Sequence, residues 1–396
     1  MTEERRAQLT GDGAGAVLRE ALSAAGRSLD SWAVDAVHDR PGAETSVSYD
    51  VMVDGAHRYL VASTIELDRG SHPGVMTVGS GGHEVHVWEH PMDPHLPALA
   101  EACDPVALGR AMSAALGTAV EVRGMRVLVL RPLRRAVLRI ESCAAGDPAS
   151  APANVHFVKV VGPDLAQEVA ERYRLSPHAP RAWVLGAGLV LLDAARGRPL
   201  TEHLYDPQGR MLLPPVIPPA AVMDALTALS PRALDLPHRP AWSDRLPQYA
   251  AQARERGLPW ANEIEGLVAD RLRRGETGPV VPVHGDLHAA NLFLAPGPDG
   301  LTASALIDLD TAGPGYLVDD VACLLAHMLT LPTFSPQGYR HVPDVHFILV
   351  KGMLPYVDAN QLAGRTAAVL VSLASGTANR EHAEAWMHQA ARAAAS

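Results

Sequence analysis

The stretch Val281-Pro282-Val283-His284-Gly285-Asp286-Leu287-His288-Ala289-Ala290-Asn291-Leu292-Phe293-Leu294 decides the fold. After a loop at 296–300 it is followed by Ala305-Leu306-Ile307-Asp308-Leu309-Asp310. Apolar runs bracket a polar loop, so the pattern predicts strand, loop, strand, and then another apolar strand ending in acids. Five residues separate Asp286 from Asn291. That spacing lets the chain loop out and return, so both side chains reach one site. Asp, Asn and Gly are ordinary turn residues, but a turn alone does not require this many residue choices in order between apolar strands.

Phosphoryl transfer asks little covalent chemistry of a protein. It needs an acceptor held in line, a group to take its proton, and metal ions on the phosphate oxygens. Asp286 can take a hydroxyl proton, and Asn291 can offer its carbonyl oxygen to magnesium. Asp308 adds a hard oxygen ligand of the kind Mg²⁺ prefers. A base and a metal-binding asparagine five residues apart also occur in the protein-kinase catalytic loop.

The run His284-Gly285-Asp286-Leu287-His288-x-x-Asn291, then Ile307-Asp308-x-Asp310, then Asp320, resembles the aminoglycoside phosphotransferase family, whose relatives include choline kinases and maltokinases. The resemblance covers residues 125–330. It implies catalytic base Asp286, metal ligands Asn291 and Asp308, ATP or GTP as phosphoryl donor, Mg²⁺, and a hydroxylated small molecule as acceptor. Sugars and amino sugars lead among acceptors, because N-terminally extended relatives include maltokinase-like and glucosamine kinase-like enzymes; aminoglycosides or another hydroxylated antibiotic come next, then amino alcohols. A pseudokinase, keeping the fold as a nucleotide-binding regulatory module, is the alternative, and the intact Asp-Asn-Asp set argues against it. Nucleotidyl transfer to the same hydroxyl is a thinner one.

The neighbours of the motif have separate readings. His284 is expected to brace the loop through hydrogen bonds. His288 either contacts substrate or packs the loop. Asp310 either caps a turn or touches a second metal. Asp320 matches the family's downstream aspartate and is expected to brace the loop from a helix N-terminus.

A kinase of this type also needs a strand lysine for the nucleotide phosphates and an acid to position it. Lys159, alone among apolar residues in Phe157-Val158-Lys159-Val160-Val161, is that candidate, since a core lysine without a partner is costly. Glu168 is its expected partner, with Glu171 the rival. Arg134 and Arg135 sit in a basic turn between strands where a kinase places its phosphate-covering loop. They face phosphate or are solvated turn charges. There is no Gly-x-Gly-x-x-Gly. The resemblance places the adenine-binding hinge around Asp193 to Ala195.

The expected fold class is α+β: a two-lobed protein-kinase-like fold with a mixed β N-lobe, a mainly helical C-lobe and an N-terminal α/β extension. The expected divisions are 1–105, 106–196 and 197–396. Expected helices are 16–25, 105–116, 163–174, 220–229, 261–273, 317–329, 361–373 and 382–394. Asp54-Gly55 between β-rich runs predicts a hairpin.

Composition sets outer bounds. Hydrophobic residues make up 47% of 396, enough for a sizeable core. The net charge of −10 disfavours nucleic acid as a partner. Apolar runs stay short of membrane-spanning length, and Met1-Thr2-Glu3-Glu4-Arg5-Arg6 leads into no apolar signal core, so no membrane partner and a cytoplasmic location are expected. Cys103, Cys143 and Cys323 are far apart and odd in number, and read as small buried hydrophobes. The histidines of the 83–90 run alternate faces in a β-rich segment and do not suit a zinc-protease pattern. Oligomeric state leaves no trace in the sequence.

Overall fold

The computed structural model describes residues 2–39, 44–68, 70, 72–79, 84–148, 150–298 and 300–395. The loop residue Asp299 and His83 of the histidine run lie outside them. The chain divides into two compact units, Met1–Ala170 with Ala182–Ala194, and Glu171–Arg181 with Ala195–Ser396. The architecture is α+β, with β-rich sheets in the first unit and helices dominating the second.

The first unit holds two antiparallel five-stranded sheets. One is built from Leu29–Asp39, Thr45–Val53, Ala56–Ser63, Val85–Glu89 and Met76–Val78, in that spatial order. Its central turn is Asp54-Gly55, both at positive φ, which joins two strands in a tight hairpin matched to their twist. Helix Gly13–Ala24 buries Val17, Leu18 and Leu22 against Tyr49, Val51 and Leu60 of this sheet.

The second sheet runs Val120–Arg131, Arg135–Ala144, Asn154–Val160, Leu189–Asp193, Ala182–Gly186. Helix Pro105–Leu116 covers it, burying Leu108 and Met112 against Leu138, Ile140, Val158 and Leu191. Local chemistry fixes both helix ends. Asp104 accepts from the N–H groups of Val106 (2.8 Å) and Ala107 (3.1 Å). Pro105 sits in the first turn, and Gly117 takes the left-handed conformation that ends the helix.

In the second unit, two short sheets carry the motif. Val280–Val283 pairs with Gly313–Tyr316, and Leu292–Gly297 pairs with both Gly300–Leu306 and Arg198–Pro199. Helix Leu317–Phe334 runs through the core, packing Val318, Val321, Leu325 and Met328 against Leu287, Leu292 and Leu306. Helices Leu246–Glu255, Ala261–Arg274, Ala359–Gly376 and Arg380–Ala395 form a second core around Ile264, Val268, Leu370 and Met387. Among the described residues one helix, Leu317–Phe334, is long and apolar enough to cross a membrane, and 56% of it is buried inside this core.

The expected helices are present, with ends shifted by a few residues. The 163–174 segment is helical only over Ala166–Tyr173, because Gly162 to Leu165 form a turn first. Helices Leu246–Glu255 and Val342–Met353 and the strand Leu29–Asp39 are additions to the expected set.

Candidate active site

Strand Val280–Val283 delivers the chain into the loop at His284, which is fully buried. The next residue must be glycine. Gly285 has φ +81°, and a Cβ there would lie 2.7 Å from the Thr311 carbonyl oxygen. The loop is then locked from three sides. Asp320 accepts from the backbone N–H of His284 (2.6 Å) and of Gly285 (2.8 Å), one with each carboxylate oxygen. Thr311 Oγ1 donates to the His284 carbonyl at 2.9 Å. His284 Nε2 lies 2.8 Å from the Ile307 carbonyl, and its Nδ1 lies 3.3 Å from the Asp286 N–H. A carbonyl can only accept and an amide N–H only donate, so these partners assign the neutral tautomer protonated on Nε2. Burial pushes the pKa of His284 down, consistent with that form.

Asn291 is buried and closes the loop. Its backbone N–H donates to the His288 carbonyl (2.9 Å), and its carbonyl accepts from Ile307 N–H (3.0 Å). Its amide nitrogen donates to the Asp286 carbonyl at 3.1 Å. That bond fixes the amide orientation, since a backbone carbonyl needs a donor, and leaves Oδ1 as the acceptor end of the side chain. The Asn291–Ile307 bond brings Asp308 beside the loop. Asp308 takes the left-handed conformation (φ +61°, ψ +48°), which is unusual for a residue other than glycine and re-aims its side chain at the end of the strand. Tyr173 Oη accepts from its N–H at 3.3 Å. Buried Arg172 donates to the Ala312 carbonyl and ties the same helix end to this region.

Asp286 is half-buried. Its Oδ1 accepts from the indole Nε1–H of Trp242 (3.2 Å) and from the Cys323 thiol (3.9 Å). Trp242 is held in turn by its neighbour Ser243, whose hydroxyl donates to Asp319 Oδ1 (2.9 Å) and accepts from Arg365 (2.9 Å). Arg365 also bonds Asp319 directly at 2.5 Å. Helix Leu317–Phe334 therefore supports the loop with Asp320 and the Trp242 segment with Asp319. On the same helix, His327 lies against His288 with ring centroids 5.0 Å apart and planes tilted by 34°, and burial drives its pKa down to about 3.

The donor set suits magnesium: an amide oxygen from Asn291 and a carboxylate from Asp308, both hard ligands, on segments joined by the Asn291–Ile307 hydrogen bond.

Residues 124–340, more than half of the chain, match the phosphotransferase enzyme family. The chain belongs to that family. Similar solved structures include a choline/ethanolamine kinase family protein from Mesorhizobium loti, with 12% identity over 74% of this chain and 92% of that one, TM-score 0.44. Another is aminoglycoside phosphotransferase APH(3'')-Id from Streptomyces rimosus, with 20% identity over 74% and 98%, TM-score 0.34. A third is the GDP complex of aminoglycoside 2'-phosphotransferase-IIIa, with 12% identity over 74% and 97%, TM-score 0.40. No curated protein matches the chain.

In this phosphotransferase, Asp286, Asn291 and Asp308 stand together in the second unit. His284 and Asp320 brace the loop, as their positions in the motif suggest. Of the remaining predicted residues, Arg134, Arg135, Lys159, Glu168 and Asp193 belong to the first unit, and Glu171 and Ala195 to the second. Lys159 is buried in the middle of its strand, opposite Val137 and Val190. Glu168 lies exposed in the first turn of helix Ala166–Tyr173, and Glu171, also exposed, falls in the second unit. Asp193 ends its strand beside His156 at 3.6 Å, and the chain leaves the first unit between Ala194 and Ala195.

The basic turn has a feature invisible in its sequence. Leu133 takes a left-handed conformation (φ +66°) and buries its side chain against Val61 and Trp88 of the N-terminal sheet. Its N–H donates to buried Asp93 at 2.8 Å. The exposed Arg134 and half-exposed Arg135 are thus presented by an anchored turn rather than a glycine loop. Trp242, Cys323 and His327 are the site neighbours that sequence reasoning missed. Trp242 is 44 residues from Asp286 in a proline-bounded segment with no motif of its own. A signal for the other two existed, since Cys323 and His327 lie four apart on the helix whose Asp320 the motif already marks.

Proposed function

We propose that this phosphotransferase moves the γ-phosphoryl group of ATP or GTP to a hydroxyl of a small molecule, with sugars, amino sugars and aminoglycoside-like compounds as the acceptor class. The observation that carries the reading is the Asp286 loop. A half-buried carboxylate is fixed by backbone bonds at His284, Gly285 and Asn291 while one of its oxygens accepts from Trp242. In this reading Asp286 Oδ2 receives the acceptor's proton as the hydroxyl oxygen attacks phosphorus. Asn291 Oδ1 and Asp308 would hold Mg²⁺, which supplies charge neutralisation on the phosphate oxygens when bound. Lys159 would hold nucleotide phosphates, positioned by Glu168 or Glu171, with Arg134 and Arg135 as further phosphate donors. The adenine edge would meet backbone groups around Asp193 to Ala195. The half-exposed indole of Trp242, next to the base, offers a flat apolar face suited to a ring-shaped acceptor.

The test is transfer from γ-labelled ATP with Mg²⁺ to a panel of aminoglycosides, mono- and disaccharides, amino sugars and amino alcohols. Asp286→Asn keeps the loop's shape and removes the base. The expected result is labelled product with the native protein and a fall of about 10²–10⁴-fold in the variant, the range typical of a lost general base, with Mg·ATP binding retained. Substantial turnover in Asp286→Asn would remove Asp286 from the role of base.

A further inference from the structure

The helix that braces the catalytic loop carries a second set of donors beside it. Asp320, Cys323 and His327 lie at i, i+3 and i+7 of Leu317–Phe334, so they share one face. Asp320 holds the loop backbone. Cys323 and His327 then flank the Asp286 carboxylate. One ligand atom from each of Asp286, Cys323 and His327 lies within 4.8 Å of the others, and Cys323 Sγ is already 3.9 Å from Asp286 Oδ1. Zinc bonds of about 2.0 Å to nitrogen or oxygen and about 2.3 Å to sulfur place tetrahedral ligand atoms roughly 3.3–3.7 Å apart. That spacing is tighter than the 4.8 Å within which the three atoms already lie, so binding an ion draws the three side chains together. The donor set is a thiol, an imidazole and a carboxylate. That is the chemistry of zinc or cobalt, and unlike the all-oxygen pair Asn291 and Asp308 it does not suit magnesium.

We propose that Asp286, Cys323 and His327 form a site for a soft divalent cation such as Zn²⁺, and that filling it silences phosphotransfer by occupying the carboxylate that serves as base. Binding replaces the Cys323 S–H···O contact with a metal–thiolate bond and releases the thiol proton to solvent. Asp286 and His327 are both partly exposed, so an ion can enter from the Asp286 side while Cys323 closes the site from the core. The inhibitory half of the proposal rests on Asp286 being the base; the site itself does not.

The experiment uses the whole chain, freed of metal, with Co²⁺ as a spectroscopic probe. Titration is expected to raise thiolate-to-cobalt charge-transfer absorption in the near ultraviolet, and Zn²⁺ is expected to erase it. Cys323→Ala should abolish the band, and so should the nearly isosteric Cys323→Ser, which preserves packing. His327→Ala should weaken cobalt binding by more than the roughly 10–100-fold that loss of an outer-shell partner causes. Cys103 and Cys143 remain in the Cys323 variants, so a band that survives there belongs to them and overturns the site, as does the lack of any band in the native protein. Turnover at saturating Mg·ATP is then measured with and without Zn²⁺, each variant against its own zinc-free rate. Inhibition of the native protein that is lost in Cys323→Ser is the expected result. A cobalt band that depends on Cys323 with no effect of zinc on turnover would keep the metal site and overturn the role of Asp286 as base.

Discussion

Asp320→Asn is the most informative single change, because it preserves shape and alters one atom's hydrogen-bonding character. Asp320 is fully buried and accepts from two backbone donors, His284 N–H and Gly285 N–H, at 2.6 and 2.8 Å. An asparagine keeps one acceptor and turns the other into an NH₂ that faces an N–H. One charge-assisted bond is lost and one buried donor is left without an acceptor, which together cost about 2–4 kcal/mol. Against a total stability of about 5–15 kcal/mol that is a large fraction, and for a unit of about 200 residues it lowers Tm by roughly 4–16 °C. Because the same two N–H groups precede Asp286, the loop that aims the base loosens too, and kcat is expected to fall by more than KM rises. Differential scanning calorimetry and steady-state kinetics read the two effects. A variant as stable and as active as the native protein would refute the claim that Asp320 organises the loop.

The pH dependence of that difference tests the electrostatics. Burial raises the Asp320 pKa from its ordinary 3.8 to about 7, outweighing the two N–H bonds that favour the charged form. The folded state then holds more protons than the unfolded one between about pH 4 and pH 7, so the contribution of Asp320 to stability declines as pH rises through that window. Asn cannot titrate. The stability gap between native protein and Asp320→Asn is therefore expected to widen as pH is lowered from about 7 towards 4. A gap that narrows instead would mean that the backbone bonds outweigh desolvation.

Two contacts around the site carry predictions of their own. Trp242→Phe keeps the ring and removes the indole donor to Asp286; a half-exposed bond to a carboxylate is worth about 1 kcal/mol, so kcat should fall about fivefold with KM little changed, and a rise in KM alone would assign Trp242 to acceptor packing instead. Asp93→Ala leaves the N–H groups of Leu133 and His95 without their side-chain acceptor and should raise KM for ATP severalfold if the anchored turn presents Arg134 and Arg135 to phosphate; lower stability with unchanged KM for ATP would leave the turn a purely structural role.

Much of the site was legible because its signals are local. Five residues separate Asp286 from Asn291, a spacing that only a returning loop satisfies, and the apolar runs on either side announce its strands. Helix 105–116 was legible to the residue because Asp104, Pro105 and Gly117 each mark an end by their own backbone chemistry. Helices Leu246–Glu255 and Val342–Met353 also carry a first-turn proline, but they lack the capping side chain that Asp104 supplies, since Arg245 and His341 make no side-chain cap bond, and their starts are marked less sharply.

What stayed hidden is tertiary by nature. The partners of Asp286 come from residues 242 and 323, and nothing in one segment reports on the other. The anchoring of Leu133 on Val61 and Trp88 is the same kind of fact, and it changes how the missing glycine loop is understood. A glycine-rich loop is adaptable and must be ordered when nucleotide binds, at an entropic cost. Here Leu133 is already buried and its N–H already bonded to Asp93, so the turn is held at that residue by the protein itself. The N-terminal sheet, which the phosphotransfer motif itself does not require, thereby acquires a mechanical role, holding the basic turn in place for the strand hairpin that presents it. Removing Trp88 as Trp88→Ala should cost about 3–5 kcal/mol as a buried aromatic, and it should loosen the turn as well as the sheet. If amide exchange at Leu133 and Arg134 stayed as slow in that variant as in the native protein, the turn would be rigid on its own account, and the extension would need another reason to exist.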